Sequence, residues 1–145
     1  MNKIEISFIT INYNSSNLTI KLVDSIISQT VNLDFEIIVV DNASQNEDFQ
    51  NLCDSLNRFD QVKIIKNKIN SGFASGNMLG VNYATGRYYF FINNDCILLN
   101  NTSKILKDFL DFNQDVGVAT AKVLDNNGNY SSSYKQFPHL IKQLF

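Results

Sequence analysis

Runs of β-branched and aromatic residues alternate along this chain with segments whose apolar residues recur at helical spacing. That alternation constrains the fold more than any other feature. Ile4 to Ile11 reads as a buried strand, and Asn14-Ser15-Ser16-Asn17 offers N-caps for a helix carrying Leu18, Leu22, Ile26 and Ile27 to about Thr30. Phe35 to Val40 is a second strand closed by Asp41, and Phe49, Leu52, Cys53 and Leu56 mark a second helix. Val62 to Ile65 is a third strand. The turn Asn70-Ser71-Gly72 opens a helix to about Ala84, ended by Gly86 in the C′ position. Tyr88 to Ile92 is a fourth strand, Ser103 to Phe112 a helix with Ile105, Leu106, Phe109 and Leu110 on its apolar face, and Val116 to Val123 a fifth strand. After the turn Asp125-Asn126-Asn127-Gly128, Tyr130 to Tyr134 reads as a returning strand. Strands alternating with helices imply βαβ crossovers: an α/β/α sandwich of three layers around a mainly parallel sheet.

Composition fits one globular domain. Of 145 residues, 44% are apolar and 18% charged, enough to build a core and too apolar for a disordered chain. A net charge of -2 gives no basic surplus for nucleic-acid binding. No apolar run approaches the roughly 18 residues of a spanning helix, and the N-terminus lacks the apolar core of a signal peptide, so a cytoplasmic location is expected. Cys53 and Cys96 suit a reducing compartment, and the single histidine, His139, excludes a His-based zinc site and a Ser-His-Asp set. The 21 asparagines carry little information singly, because lysine outnumbers arginine ten to two and both biases fit A/T-rich codons.

In parallel sheets ligands sit beyond the carboxyl ends of the strands. The polar residues there are Asn12-Tyr13-Asn14, Asp41-Asn42, Asn67 to Gly72 and Asn93-Asn94-Asp95. Asp41 can accept hydrogen bonds from a base or ribose, or cap a turn with Asn42-Ala43-Ser44. The segment Asn70 to Gly80 is glycine-rich but is neither a P-loop nor G-x-G-x-x-G. Gly76 and Gly80, four apart, suit a helix lying close on a sheet. Asp95 follows a very apolar strand and can hold Mg²⁺ or Mn²⁺ together with diphosphate oxygens, or cap a turn. Tyr13 can stack on a base or cover the sheet edge. Cys96, without a His or Cys partner, reads as a buried side chain.

Four segments in this order, Ser7 to Asn14, Glu36 to Ser44, Asn70 to Asn77 and Phe90 to Asp95, resemble the nucleotide-sugar half of the family 2 glycosyltransferases, which have the Rossmann-like GT-A fold. The stretch from Val116 to Gly128 with Phe137-Pro138 looks most like the rhamnosyltransferase-type branch. The resemblance implies that Tyr13 and the backbone near Ile11 lie along the nucleotide and that Asp41 hydrogen-bonds the uracil or thymine ring. Asn70, Gly72 and Asn77 would border the ribose and phosphates. Asn93-Asn94-Asp95 stands where the family has D-x-D, so Asn94 would neighbour the nucleotide and Asp95 would be the metal ligand. Asn93 replaces the first acid, leaving one carboxylate.

The implied function is transfer of a sugar from a UDP- or TDP-linked donor to a hydroxyl of a glycan or lipid-linked acceptor, with inversion and with Mg²⁺ or Mn²⁺. The full enzyme would associate peripherally with the inner face of the membrane. No general base is identified in residues 1–145, which read as a donor-binding domain incomplete at its C-terminus. Phe137, Leu140, Ile141, Leu144 and Phe145 suggest association into a homodimer. The alternative is a non-catalytic nucleotide-binding or interaction module that kept the fold. A receiver-type signalling domain fits poorly, because the first strand ends in Asn12-Tyr13-Asn14 rather than an acidic cluster.

Overall fold

The computed structural model describes residues 3–125 and 127–131. Four strands form an all-parallel sheet in the order β3-β2-β1-β4: β1 (Ile6–Asn12), β2 (Phe35–Asp41), β3 (Val62–Lys66) and β4 (Tyr88–Phe91). They alternate with helices α1 (Ser16–Gln29), α2 (Asn46–Leu56), α3 (Gly72–Val81) and α4 (Thr102–Phe112). The register aligns Ile6 with Phe35 and Asn12 with Asp41, so the polar ends of β1 and β2 stand side by side.

Strand alternation sorts the sheet into two buried faces. Phe8 of β1 and Ile37 and Val39 of β2 join Leu22, Val23 and Ile26 of α1 and Leu52 and Leu56 of α2 in the main core. On the opposite face Ile9, Ile38 and Val40 pack with Leu79 and Val81 of α3. These are the expected three layers. Leu98, after β4, is buried in the main core, and Ser103 of α4 meets Thr30 at 3.2 Å.

α3 approaches the sheet through its glycines. A Cβ on Gly80 would lie 2.6 Å from Ile9 Cγ2, and one on Gly76 would lie 2.9 Å from Ile11 Cδ1. Gly72, at φ +80°, makes the turn into α3.

Three expectations need correction. α3 ends at Val81 with Asn82 as its cap, so Gly86 is not a helix terminator. Gly86 is needed for space: its Cβ would fall 2.6 Å from the Ser7 backbone nitrogen. Residues 116–122 form no strand. Only Val123–Leu124 (β5) pairs, antiparallel with Tyr130–Ser131 (β6), in a separate two-stranded sheet. Gly117, Ala119 and Ala121 interrupt the apolar run with small side chains that fill little of a pleated surface. On α4, Ile105 and Phe109 are exposed, so only part of its apolar face is covered. The expectations for residues 132–145, including the end of the returning strand and the apolar C-terminal cluster, lie outside the described residues.

The amino ends of the strands are tied by charge. Glu36 Oε1 accepts from Ser7 Oγ at 2.7 Å and from the backbone and hydroxyl of Thr85. Burial by itself would raise the Glu36 carboxyl, but these hydrogen bonds outweigh it and hold the group below its ordinary value of 4.5. Lys107 of α4 bridges Glu5 at 3.1 Å and Asp111 at 2.9 Å. That lysine, then the Tyr88 hydroxyl, hold the Asp111 carboxyl down to about 2.

Two outcomes are expected. Alanine at Gly86 should lower the melting temperature most, at Gly80 less, and at Gly76 least, because the obstructing atoms pass from backbone to a stiff strand side chain to the flexible tip of Ile11. Equal losses at all three would refute the close-approach reading. A depressed Glu36 pKa contributes stability that is complete above the unfolded-state value near 4.5 and disappears as pH falls through the folded value. Glu36→Gln should therefore flatten the acid limb of a melting-temperature profile below about pH 5. An unchanged acid limb would remove Glu36 from the account.

Candidate donor-binding cleft

The carboxyl ends of β1, β2 and β4 and the N-terminal turn of α3 frame an open cleft of about 340 Å³. Its lining is Ile11, Tyr13, Asn42, Phe73, Asn93, Asn94 and Asp95. Tyr13 and Phe73 are both exposed aromatics, and Asp95 is an exposed carboxylate. Burial, then the neighbouring Asp95 carboxylate, push the Cys96 thiol above its ordinary value, so Cys96 stays protonated and is no nucleophile.

Beneath the cleft lie two buried amides. Asn12, fully buried at the end of β1, turns its two amide N–H groups toward three acceptors, Asp41 Oδ1 at 3.0 Å, Ser44 Oγ at 3.1 Å and Asp48 Oδ2 at 2.8 Å. Its oxygen accepts from Thr19 Oγ1 at 2.9 Å. One side chain thus joins β1, α1, β2 and α2. Asp48 also caps α1 by accepting from the Ser16 backbone at 2.9 Å. Burial would raise the Asp48 carboxyl, but the bonds from Ser16 and Asn12 outweigh that and hold it low. On the other side Asn42, 2% exposed, donates to Asn70 Oδ1 at 2.8 Å and accepts from Asn67 Nδ2 at 3.1 Å and the Ser71 backbone at 3.2 Å. It pins the loop that leads into α3.

Two turn residues flanking this region have positive φ, Asn14 at 50° and Ala43 at 67°. Their turns interlock: the Asn14 backbone donates to Ser44 Oγ at 2.9 Å, and the Gln45 backbone donates to Asn14 Oδ1 at 2.8 Å. Asn14 tolerates such a φ, whereas Ala43 holds it at a cost of about 1 kcal/mol or more.

Of the residues expected from sequence, Ile11, Tyr13, Asn94 and Asp95 line the cleft. Asp41 does not. It is fully buried, on the α1 and α2 side of the sheet, and accepts from Asn12 and from the Ser44 backbone at 3.2 Å. Asn70, Gly72 and Asn77 also lie off the lining. Asn70 serves Asn42, the Gly72 backbone donates to Asn70, and Asn77 bonds the Phe73 carbonyl at 3.1 Å. Asn42 and Phe73 were missed as lining residues. Strand alternation was the available signal for Asn42, since Asp41 shares its face with the core residues Ile37 and Val39.

Asp41→Ala is expected to lower the unfolding free energy by about 1–3 kcal/mol, because the Asn12 amide and the Ser44 N–H each lose an acceptor. Asp60→Ala, at an exposed carboxylate, should be near neutral. Urea unfolding distinguishes them, and equal stability of the two variants would dismiss the buried network as a stabilising element.

Residues 7–144 match the family described as Glycosyl transferase family 2. Among curated relatives, an uncharacterized glycosyltransferase of Rickettsia bellii is 28% identical over 138 residues, covering 90% of this chain and 20% of the relative. A poly(ribitol-phosphate) beta-glucosyltransferase of Bacillus spizizenii is 27% identical over 135 residues, covering 91% of this chain and 21% of the relative. The chain therefore spans about a fifth of the length of these two relatives. Among solved structures, S. aureus TarS 1-349 in complex with UDP-GlcNAc superposes with a TM-score of 0.65 at 25% identity, over 77% of this chain and 32% of that one. A mannosyltransferase from Pyrobaculum calidifontis, in complex with GDP-Man and Mn²⁺, shares the fold with a TM-score of 0.62 at 17% identity, over 72% of this chain and 31% of that one. The parallel sheet, the cleft at its carboxyl end and the match along nearly the whole chain agree: the chain belongs to glycosyl transferase family 2.

Proposed function

We propose that this chain is the donor-binding part of a glycosyltransferase that passes a sugar from a nucleoside diphosphate to an acceptor hydroxyl. The observation that carries the reading is the cleft: an exposed aromatic ring, Tyr13, and an exposed carboxylate, Asp95, line one concavity beyond the ends of parallel strands. An aromatic ring and a carboxylate in one concavity suit a ligand that carries both a flat base and a diphosphate. In this reading the base lies along Tyr13 and Ile11. Asn42, Asn70, Gly72 and Asn77 shape the loop and first turn of α3 beside the ribose and phosphates, and Asp41 supports them from beneath. The UDP-GlcNAc bound by TarS supports a UDP-linked donor.

Among the described residues no cluster of three or more His, Cys, Asp or Glu could cage a cation. Asp95 alone fits a divalent ion shared with diphosphate oxygens, because hard cations of this kind keep few protein ligands. Mg²⁺ or Mn²⁺ bound there would neutralise the leaving diphosphate. Transfer with inversion, a glycan or lipid-linked acceptor and a general base supplied outside residues 1–145 complete the proposal. The finer placement in the rhamnosyltransferase-type branch rests on the sequence from Val116 to Gly128 and on Phe137-Pro138.

Calorimetric titration with UDP, TDP and GDP, each with and without Mn²⁺, tests this. Binding of at least one nucleotide, tightened by Mn²⁺ in the wild type and not in Asp95→Asn, is the expected result. Linkage requires the nucleotide to tighten Mn²⁺ by the same factor. Absence of binding by all three nucleotides overturns the donor-site reading, and a full Mn²⁺ gain in Asp95→Asn overturns the metal assignment.

A further inference from the structure

Asp95 makes no strong bond of its own. Its only side-chain contact among the described hydrogen bonds is the Cys96 thiol at 3.8 Å. Something else must fix a carboxylate that a cation is to find. The residues on either side are tied to α1. Asn94 Nδ2 donates to Ser15 Oγ at 2.7 Å and to Thr19 Oγ1 at 3.0 Å. Four residues on, the Leu98 backbone donates to Ser25 Oγ at 3.1 Å, and its side chain is buried in the core. Thr19 and Ser25 are six residues apart, about 9 Å along the helix. The loop bearing Asp95 is therefore stretched between two posts on one rigid element.

The first post has a defined polarity. Asp41 and Asp48 accept only, so the Asn12 amide nitrogen must face them and its oxygen must face Thr19. The single Thr19 hydroxyl proton is then committed to Asn12. Thr19 can only accept from its other neighbour, so the Asn94 nitrogen must turn inward. Every donor in this row points the same way, from the β4 loop through α1 to the acids of β2 and α2, an arrangement in which each bond polarises the next.

We propose that Asn94 is a positioning residue: its side-chain amide, donated to Ser15 and Thr19, holds Asp95 at the rim of the cleft. The proposal rests on the donor-site reading above and gives the middle residue of Asn93-Asn94-Asp95 a role directed away from the ligand.

Asn94→Leu removes both bonds at similar size. Ser15→Ala removes the shorter one without uncapping α1, since Ser15 makes no side-chain capping bond. Thr30→Val breaks the buried pair with Ser103 near the other end of α1 and controls for loss of stability alone. The full chain is followed by amide exchange without ligands and by UDP titration with and without Mn²⁺. In Asn94→Leu and Ser15→Ala the Cys96 amide, which donates to the Asn93 carbonyl at 3.1 Å, should exchange about tenfold faster or more. Metal-free UDP affinity should hold in Ser15→Ala, and in both variants the Mn²⁺ gain should fall to less than about half. Thr30→Val should change neither. Unchanged loop exchange overturns the proposal even if Asn94→Leu fails to fold, because Ser15→Ala reads the same tether. Faster exchange with the full Mn²⁺ gain also overturns it, reducing Asn94 to a structural residue. No Mn²⁺ gain in the wild type defeats the metal reading of Asp95 instead, and loop exchange then decides alone whether Asn94 acts as the tether.

Discussion

The arrangement of this domain depends on one buried carboxamide. Asn12 sits where β1 runs out, at a place that must join two helices and a neighbouring strand without water. An apolar side chain there would leave Asp41 and Asp48 short of a donor, and a charged one would add to their repulsion or bury a cation. A carboxamide supplies both donors and acceptors in one planar group. Asn42 repeats the solution one strand over, facing the loop into α3. The cleft is the space left between these two satisfied centres.

The two ends of the sheet are therefore held by different physics. At the amino end, Glu5 and Asp111 pair with Lys107 and Arg87 near the surface, where solvent weakens each pair, and the Glu36 carboxylate accepts from Ser7 and Thr85, so pH changes the total. At the carboxyl end, neutral amides and hydroxyls bond to one another and to two acids. Acid weakens the first set by protonating its carboxylates; at the carboxyl end it acts through the Asp48 carboxylate, while the amide hubs themselves do not titrate. Close contact of α3 through Gly76 and Gly80 joins the two ends without polar groups.

Much of this was legible in the sequence. The alternation of apolar runs located every strand of the main sheet, and the spacing of Gly76 and Gly80 anticipated a helix lying close on it. The cleft lining was legible in part. Strand-end position pointed equally to Asp41 and Asn42, and only the face occupied by α1 and α2 decides that Asp41 turns inward. Among 21 asparagines nothing marks Asn12, Asn42 or Asn94 until their neighbours are known. The strand expected at Val116 to Val123 failed because an apolar run becomes a strand only where a sheet edge receives it.

Self-satisfaction of the buried amides has an evolutionary consequence. Asn12 and Asn42 spend their hydrogen bonds within the protein, so their contribution to stability does not depend on which molecule occupies the cleft. The side chains that face the occupant, such as Tyr13, Phe73, Asn93 and Asp95, are exposed. Exposed positions tolerate substitution with little loss of stability. The rim can thus change its chemistry, and with it the molecule that the cleft accepts, while the scaffold beneath keeps its hydrogen bonds.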